Sequence, residues 1–171
     1  MNSNQLNNNE YASFYKNYIK TVGTSNLFEI LTTSHDELIL TVKNLSEEKL
    51  MFSYAEGKWT IKELLQHLID TERVMCYRAL RFSRNDTTDL PGFDENLFIK
   101  NSNGNERTSI DLLEEFTLVR KSTISLFKSF SAKMLSTTGT IDGSIMSVRA
   151  LGFIVAGHQI HHLKVIRERY L

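Results

Sequence analysis

The stretch Thr60-Ile61-Lys62-Glu63-Leu64-Leu65-Gln66-His67-Leu68 marks the start of a helix. Thr60 and Glu63 make a capping box. The Thr hydroxyl accepts from the Glu63 backbone N–H, and the Glu63 carboxylate reaches back to the Thr60 N–H. Leu64, Leu65, Leu68, Val74, Met75 and Leu80 then recur at helical spacing and carry the helix to about Phe82. Toward the N-terminus, a second apolar stripe of Leu27, Ile30, Leu31, Leu38 and Val42 predicts a helix over about 27–43. Gly23-Thr24-Ser25-Asn26 breaks the chain before it and supplies capping side chains. Ser46-Glu47-Glu48-Lys49 opens a short helical turn, and residues 54–58 form a loop. Tyr11, Phe14, Tyr15, Tyr18 and Ile19 share one face of a short helix over 10–20. The Asn-rich residues 1–9 are expected to be a flexible tail.

Beyond Phe82 the polar stretch 83–107 contains the only proline, with Gly92 and Gly104. Its length marks a functional lid, because long loops are uncommon in compact domains. Thr108-Ser109-Ile110-Asp111 caps a third long helix, whose apolar residues are Leu112, Leu113, Phe116, Val119, Ile124, Phe127 and Phe130. Residues 136–144 are a Thr/Gly-rich loop, and Ser144 or Ser147 opens a last helix reaching Tyr170. There is no internal repeat, sustained heptad or alternating strand. Four long helices joined by one long and several short connections predict an all-α four-helix bundle with a short N-terminal helix, residues 10–171 forming a single domain.

Composition excludes several function classes. The 171 residues are 41% apolar, with 20 Lys+Arg against 20 Asp+Glu, so the formal net charge is zero. A general nucleic-acid binder needs a basic surplus or a basic face. No apolar run approaches the roughly 18 residues of a membrane span. The N-terminus MNSNQLNNNE lacks the apolar core of a signal peptide, and Cys76 has no partner for an intrachain disulfide. A cytoplasmic location is the expectation, with partners that are neither nucleic acid nor membrane.

Three of the five histidines lie in Gly157-His158-Gln159-Ile160-His161-His162. His158 and His162 are one turn apart, and His161 lies to one side, so two pairs, His158/His161 and His158/His162, can converge on a common atom. His67 falls two turns into the capped helix, on an otherwise apolar stripe. Each histidine is either a buried, hydrogen-bonded core residue or a ligand. Three neutral imidazoles would leave a coordination position open, the pattern of catalytic zinc. Nickel, iron or manganese fit the same donors.

The order and spacing of three segments resemble the DinB/YfiT-like superfamily over roughly residues 25–170. Residues 59–73, Trp59-Thr60-Ile61-Lys62-Glu63-Leu64-Leu65-Gln66-His67-Leu68-Ile69-Asp70-Thr71-Glu72-Arg73, are similar to its second-helix signature. Residues 157–163 resemble its last-helix signature, and Pro91-Gly92-Phe93-Asp94-Glu95-Asn96 resembles the segment between its second and third helices. The resemblance implies a bundle with a long crossover between helices 2 and 3, and one divalent transition metal held by His67, His158 and His162. His161 then stands beside the site. It implies metal-dependent hydrolysis of a small-molecule substrate, or transfer of a low-molecular-weight thiol such as bacillithiol. A non-catalytic metal-binding module in stress response or regulation is the alternative. A homodimer is also expected from the resemblance.

Other residues carry two readings each. Asp70, close to His67 in the helix, either orients an imidazole or is an ordinary solvated helix residue. Glu72 and Arg73 match the family's helix pattern, and an ion pair within the bundle explains them as well as chemistry at the site does. Arg78, Arg81 and Arg84 either receive an anionic substrate group or complement a helix C-terminus. Asp94 and Glu95 either approach the metal or form a solvated turn. Cys76 lies about 180° around the helix from His67 and reads as a small buried hydrophobe. His35 reads as a surface residue, Trp59 as a hydrophobic staple, and Gly152 and Gly157 as points of close helix approach. No catalytic acid or base stands out.

Overall fold

A computed structural model describes residues 1–171. After a 3-10 turn at Ser13–Tyr15, the helices are α1 Lys16–Thr21, α2 Leu27–Val42, α3 Glu47–Leu50, α4 Ile61–Ser83, α5 Glu95–Lys100, α6 Ser109–Lys128, α7 Ala132–Ser136 and α8 Val148–Val165. A final π-helical turn covers Ile166–Tyr170. The capping box at Thr60/Glu63 is formed on both sides, and Thr108 and Ser147 cap α6 and α8 through the backbone N–H groups of Asp111 and Ala150. Asn85, at φ 60°, ends α4 in the left-handed conformation that asparagine tolerates.

The four long helices pack in the cyclic order α2–α8–α4–α6. Their direction follows from the two apolar clusters of the core. One holds Leu27 and Leu31 of α2, Phe82 of α4, Phe127 of α6 and Leu151 of α8. The other holds Leu38, Leu65, Leu112 and Leu163 of the same four helices. Each chain direction is therefore fixed: α2 and α8 run one way, α4 and α6 the other. Parallel neighbours need a return connection as long as the helix itself. At about 1.5 Å per residue, α4 alone is roughly 35 Å long. That requirement accounts for the long connection after α4.

This connection, expected as a polar lid, is ordered along much of its length. It carries α5, capped by Asp94 through the Leu97 N–H, and a 3-10 turn at Gly104–Glu106. Leu90 is buried and exchanges backbone hydrogen bonds with Thr140 and Asp142. The loop expected over 136–144 also differs. It contains an antiparallel hairpin, β1 Thr138–Ile141 with β2 Ser144–Ser147, turning at Asp142-Gly143. Both turn residues have positive φ (46° and 72°), as a two-residue hairpin turn requires.

The N-terminal residues expected as a tail are placed against the first turn: Ser3 is buried and donates to the Gly23 carbonyl, and Leu27 N–H donates to the Met1 carbonyl. No helix is long and apolar enough to cross a membrane.

Between the two apolar clusters lies a band of buried polar groups centred on Arg120, only 2% exposed. Its guanidinium makes paired bonds to the Glu72 carboxylate at 2.8 Å each. It also donates to the Leu31 carbonyl (2.7 Å) and Gln159 Oε1 (2.9 Å), and so ties α6 to the three other long helices. Thr123 Oγ1 donates to the same carboxylate at 2.6 Å. Removing one member of such a pair strands the other without water. Arg120→Ala is expected to cost about 3–5 kcal/mol in urea unfolding. A paired Glu72→Met/Arg120→Leu exchange, which leaves no orphan charge, recovers most of the loss.

Candidate metal centre

His67 on α4 and His158 and His162 on α8 bring their Nε2 atoms together where these helices pack antiparallel. His67 Nε2 is 2.9 Å from His158 Nε2, which is 3.1 Å from His162 Nε2. One ligand atom from each lies within 4.8 Å of the others. His67 and His158 are 7% exposed, and His162 is half-buried.

This cluster is poorly satisfied by hydrogen bonds alone. A neutral imidazole nitrogen is either a donor or an acceptor, so one His158 nitrogen cannot complete good bonds with two others at once. A cation at the point of convergence satisfies all three lone pairs. Two imidazoles on one ion, with bonds of about 2.0–2.1 Å, stand about 2.9–3.4 Å apart at angles between a right angle and tetrahedral. The spacings fit. Burial presses all three pKa values down from the ordinary 6.5: His67 to about 4, His162 to about 3, and His158 well below, with its histidine neighbours adding to the effect. The imidazoles are held in the neutral form that binds metal.

The surrounding contacts orient the rings. Thr71 Oγ1, one turn after His67, lies 3.4 Å from His67 Nδ1. Of the two readings of Asp70, its contact matches the ordinary helix residue: it accepts from Gln66 Nε2 at 2.9 Å. One residue of helical phase separates the two positions, and this decides which side chain faces the ring. Trp59 lies with its ring centroid 4.7 Å from that of His67, so it is a wall of the centre as well as the residue before the cap. Tyr18 on α1 meets both His158 and His161 edge-on at 5.5 Å. His161 is exposed and stands outside the converging trio.

Gly157 explains how α1 comes so near. A Cβ there would overlap the Tyr18 carbonyl oxygen, so only glycine admits the crossing. The N-terminal segment is further tied to the start of α8 by Glu10, which pairs with Arg149 and accepts from Ser147 Oγ.

The imidazoles open onto a cleft of about 440 Å³. Phe14, Tyr15 and Tyr18 line one side, Phe93 and Glu95 of the long connection another, and Asp142, Ser144 and Met146 of the hairpin a third. Of the arginines noted in the sequence, Arg78 lines this cleft, while Arg81 pairs with Asp86 outside it. Asp94 serves as a helix cap; Glu95 faces the cleft. Cys76 is set apart, with Sγ 3.2 Å from Thr123 Oγ1 and its pKa pushed up to about 12 by burial. His35, read as a surface residue, is half-buried: it stacks on Phe116 at 5.5 Å and bonds Thr117 Oγ1 at 3.0 Å, while its other nitrogen meets the exposed Asp36. Periodicity hid the roles of Tyr18, Arg120 and the hairpin, whose contacts are all distant in sequence. The Asp142-Gly143 pair was a readable turn signal.

Fold and site together define a helical-bundle protein with a three-imidazole centre suited to a divalent cation. The chain belongs to the DinB superfamily, whose family model matches residues 30–166. A protein of Oceanobacillus iheyensis provisionally named a metal-dependent hydrolase is 30% identical over 131 residues, covering 74% of this chain and 73% of that protein. The solved structure of YfiT from Bacillus subtilis is described as that of a probable metal-dependent hydrolase with an unusual four-helix bundle topology. It matches with a TM-score of 0.73 at 16% identity, covering 83% of this chain and 82% of that one. At that identity the likeness concerns the fold.

The depressed histidine pKa values set a pH dependence for the metal-free protein. Unfolding returns each imidazole to about 6.5, so the unfolded chain takes up protons first as pH falls. This stability is fully present above pH 6.5 and is lost as pH drops through the window toward 4. Thermal melts of metal-free protein should show a steady fall in Tm from pH 6.5 to 4.5, shallower in His158→Gln. A level or rising Tm over that range contradicts the assignment of neutral, buried imidazoles.

Proposed function

We propose that the protein is a metal-dependent hydrolase, with one divalent ion held by His67, His158 and His162. The observation that carries this reading is the convergence of three neutral Nε2 atoms at the inner end of an open cleft. A structural metal site has its coordination closed by the protein, whereas three protein ligands facing a cleft leave a position for water or substrate. When bound, such an ion polarises a carbonyl and brings the acidity of water toward neutrality. Zinc and nickel suit three imidazoles, and iron and manganese suit them less well.

The chain's own residues supply the rest. Thr71 Oγ1 stands 3.4 Å from His67 Nδ1, where it can accept from an Nδ1–H and so favour the tautomer that leaves Nε2 free for an ion. Tyr18 and Trp59 hold the rings by edge and face contacts and limit water beside them. The aromatic side chains of the cleft take up the apolar part of an ester or amide substrate. No carboxylate joins the imidazole trio as a fourth ligand; Glu95 and Asp142 line the same cleft and are the carboxylates available to act on a bound water or substrate. The cleft also argues against a non-catalytic metal module, which needs no substrate-sized opening.

Protein expressed with zinc or nickel is expected to carry about one equivalent of metal. His67→Ala, His158→Ala and His162→Ala should each drop it below about a tenth of that, while His161→Ala keeps it. Loss of metal in His161→Ala alone would displace the ligand set by one residue. Wild type should cleave members of a panel of aryl esters and amides, and His158→Ala none. Turnover of thiol–electrophile pairs with no ester or amide cleavage would replace hydrolysis with thiol transfer. The thiol would then come from solution, since Cys76 is buried away from the cleft.

A further inference from the structure

Two arginines in this protein are almost completely buried, and they are treated differently. Arg120 meets a carboxylate with both arms. Arg78, 3% exposed, meets none: its polar contacts are the Pro91 carbonyl at 2.7 Å and Met75 Sδ at 3.7 Å. Phe93 lies 5.8 Å from its guanidinium carbon and Tyr15 and Asp142 act on its charge from a distance, but no acidic group bonds it. Burial pulls its pKa below the ordinary value, and the distant Tyr15 and Asp142 offset this only in part, as expected of a cation that has lost water without a bonded counter-ion. A buried, uncompensated charge is costly and calls for a partner. Arg78 lines the same cleft as the imidazoles.

We infer that Arg78 is the anion subsite of this cleft, and that the substrate carries a carboxylate that pairs with it. This deepens the hydrolase reading by naming the substrate class. Arg78 lies eleven residues after His67, within about 20° of the same helix face and about 16 Å further along. The side chain leans back toward the helix N-terminus, as its contact with Met75 shows. His67 leans the same way, so only the greater length of the arginine shortens the separation, and the guanidinium stands roughly 10–15 Å from the imidazoles. The substrate is a small acid whose carboxylate and scissile bond are separated by about that length, with an apolar span lying along Met75, Tyr15 and Phe93. Glu95 and Asp142, exposed at the cleft, disfavour a multiply charged phosphate and leave a single negative charge as the better match.

The test is binding, measured by NMR titration of full-length protein in metal-free and zinc-loaded forms. The probes are monomethyl suberate, the carboxamide analogue of its free acid end, and inorganic phosphate. In both protein forms the acid should bind about tenfold more tightly than the amide, the advantage of one charge-assisted pair. Arg78→Met should erase that preference while leaving amide affinity unchanged, and Arg78→Lys should retain part of it. Equal affinity for acid and amide in wild type overturns the subsite. So does an Arg78→Met protein that loses both ligands equally, because Arg78 would then only anchor Pro91. Discrimination confined to the zinc-loaded protein puts the carboxylate on the metal and also overturns it. Phosphate binding as tightly as the acid overturns the choice of carboxylate. Because the metal-free arm needs no turnover, failure of ester cleavage would leave this result standing on its own.

Discussion

The buried pairing of Arg120 with Glu72 is the constraint on which the arrangement of the other helices depends. One guanidinium reaches all three remaining long helices: Glu72 on α4, the Leu31 carbonyl on α2 and Gln159 on α8. Gln159 and Ser34 complete the layer, with Ser34 Oγ donating to Gln159 Oε1 at 2.9 Å. A purely apolar bundle core tolerates small axial slips, because one leucine fits about as well as the next. A forked donor with fixed partners does not. The residues next to this layer are Thr71 beside Glu72 and His158 beside Gln159. The interaction that sets helix register therefore also sets the height at which the imidazoles meet.

Burial then gives the histidines their chemistry. Between two apolar clusters, a charged imidazole is disfavoured, and three neutral ones are left with lone pairs converging on one point. Protons cannot satisfy that arrangement fully, and a cation can. Metal binding is consequently coupled to folding: an ion that binds the folded chain and not the unfolded one stabilises it by mass action. The cleft is completed by segments distant in sequence. α1 arrives through the space left by Gly157, the hairpin is held by Leu90, and the long connection contributes Phe93 and Glu95. That connection is long because α4 and α6 are parallel. Its role as a wall of the cleft follows from the path it must take.

Much of this was legible in the sequence. The capping box at Thr60, the stripes of the four long helices and the joint presence of His67 with the 158–162 cluster pointed to a bundle with an internal centre. The resemblance of residues 59–73 and 157–163 to a known family selected His162 over His161, and the geometry brings that trio together. What could not be read was long-range. Helical phase around His67 gives Asp70 and Thr71 neighbouring positions, and only packing against α8 decides that Thr71 faces the ring. Arg120 resembles any arginine on a helix until α2, α4 and α8 surround it. The N-terminal residues and the hairpin take their places from contacts across the fold, which local composition does not encode. The Asp142-Gly143 turn was the exception, a local signal between strands too short to show alternation.

X-ray absorption spectroscopy on the zinc-loaded protein, compared with its His67→Ala and His162→Ala variants, reads the ligand set of the three-imidazole centre itself. The wild-type spectrum should show three imidazole nitrogens at about 2.0–2.1 Å and one light-atom ligand in the remaining position, with an imidazole contribution lost in each variant. A first shell containing sulfur, or one unchanged when either histidine is removed, would contradict that ligand set.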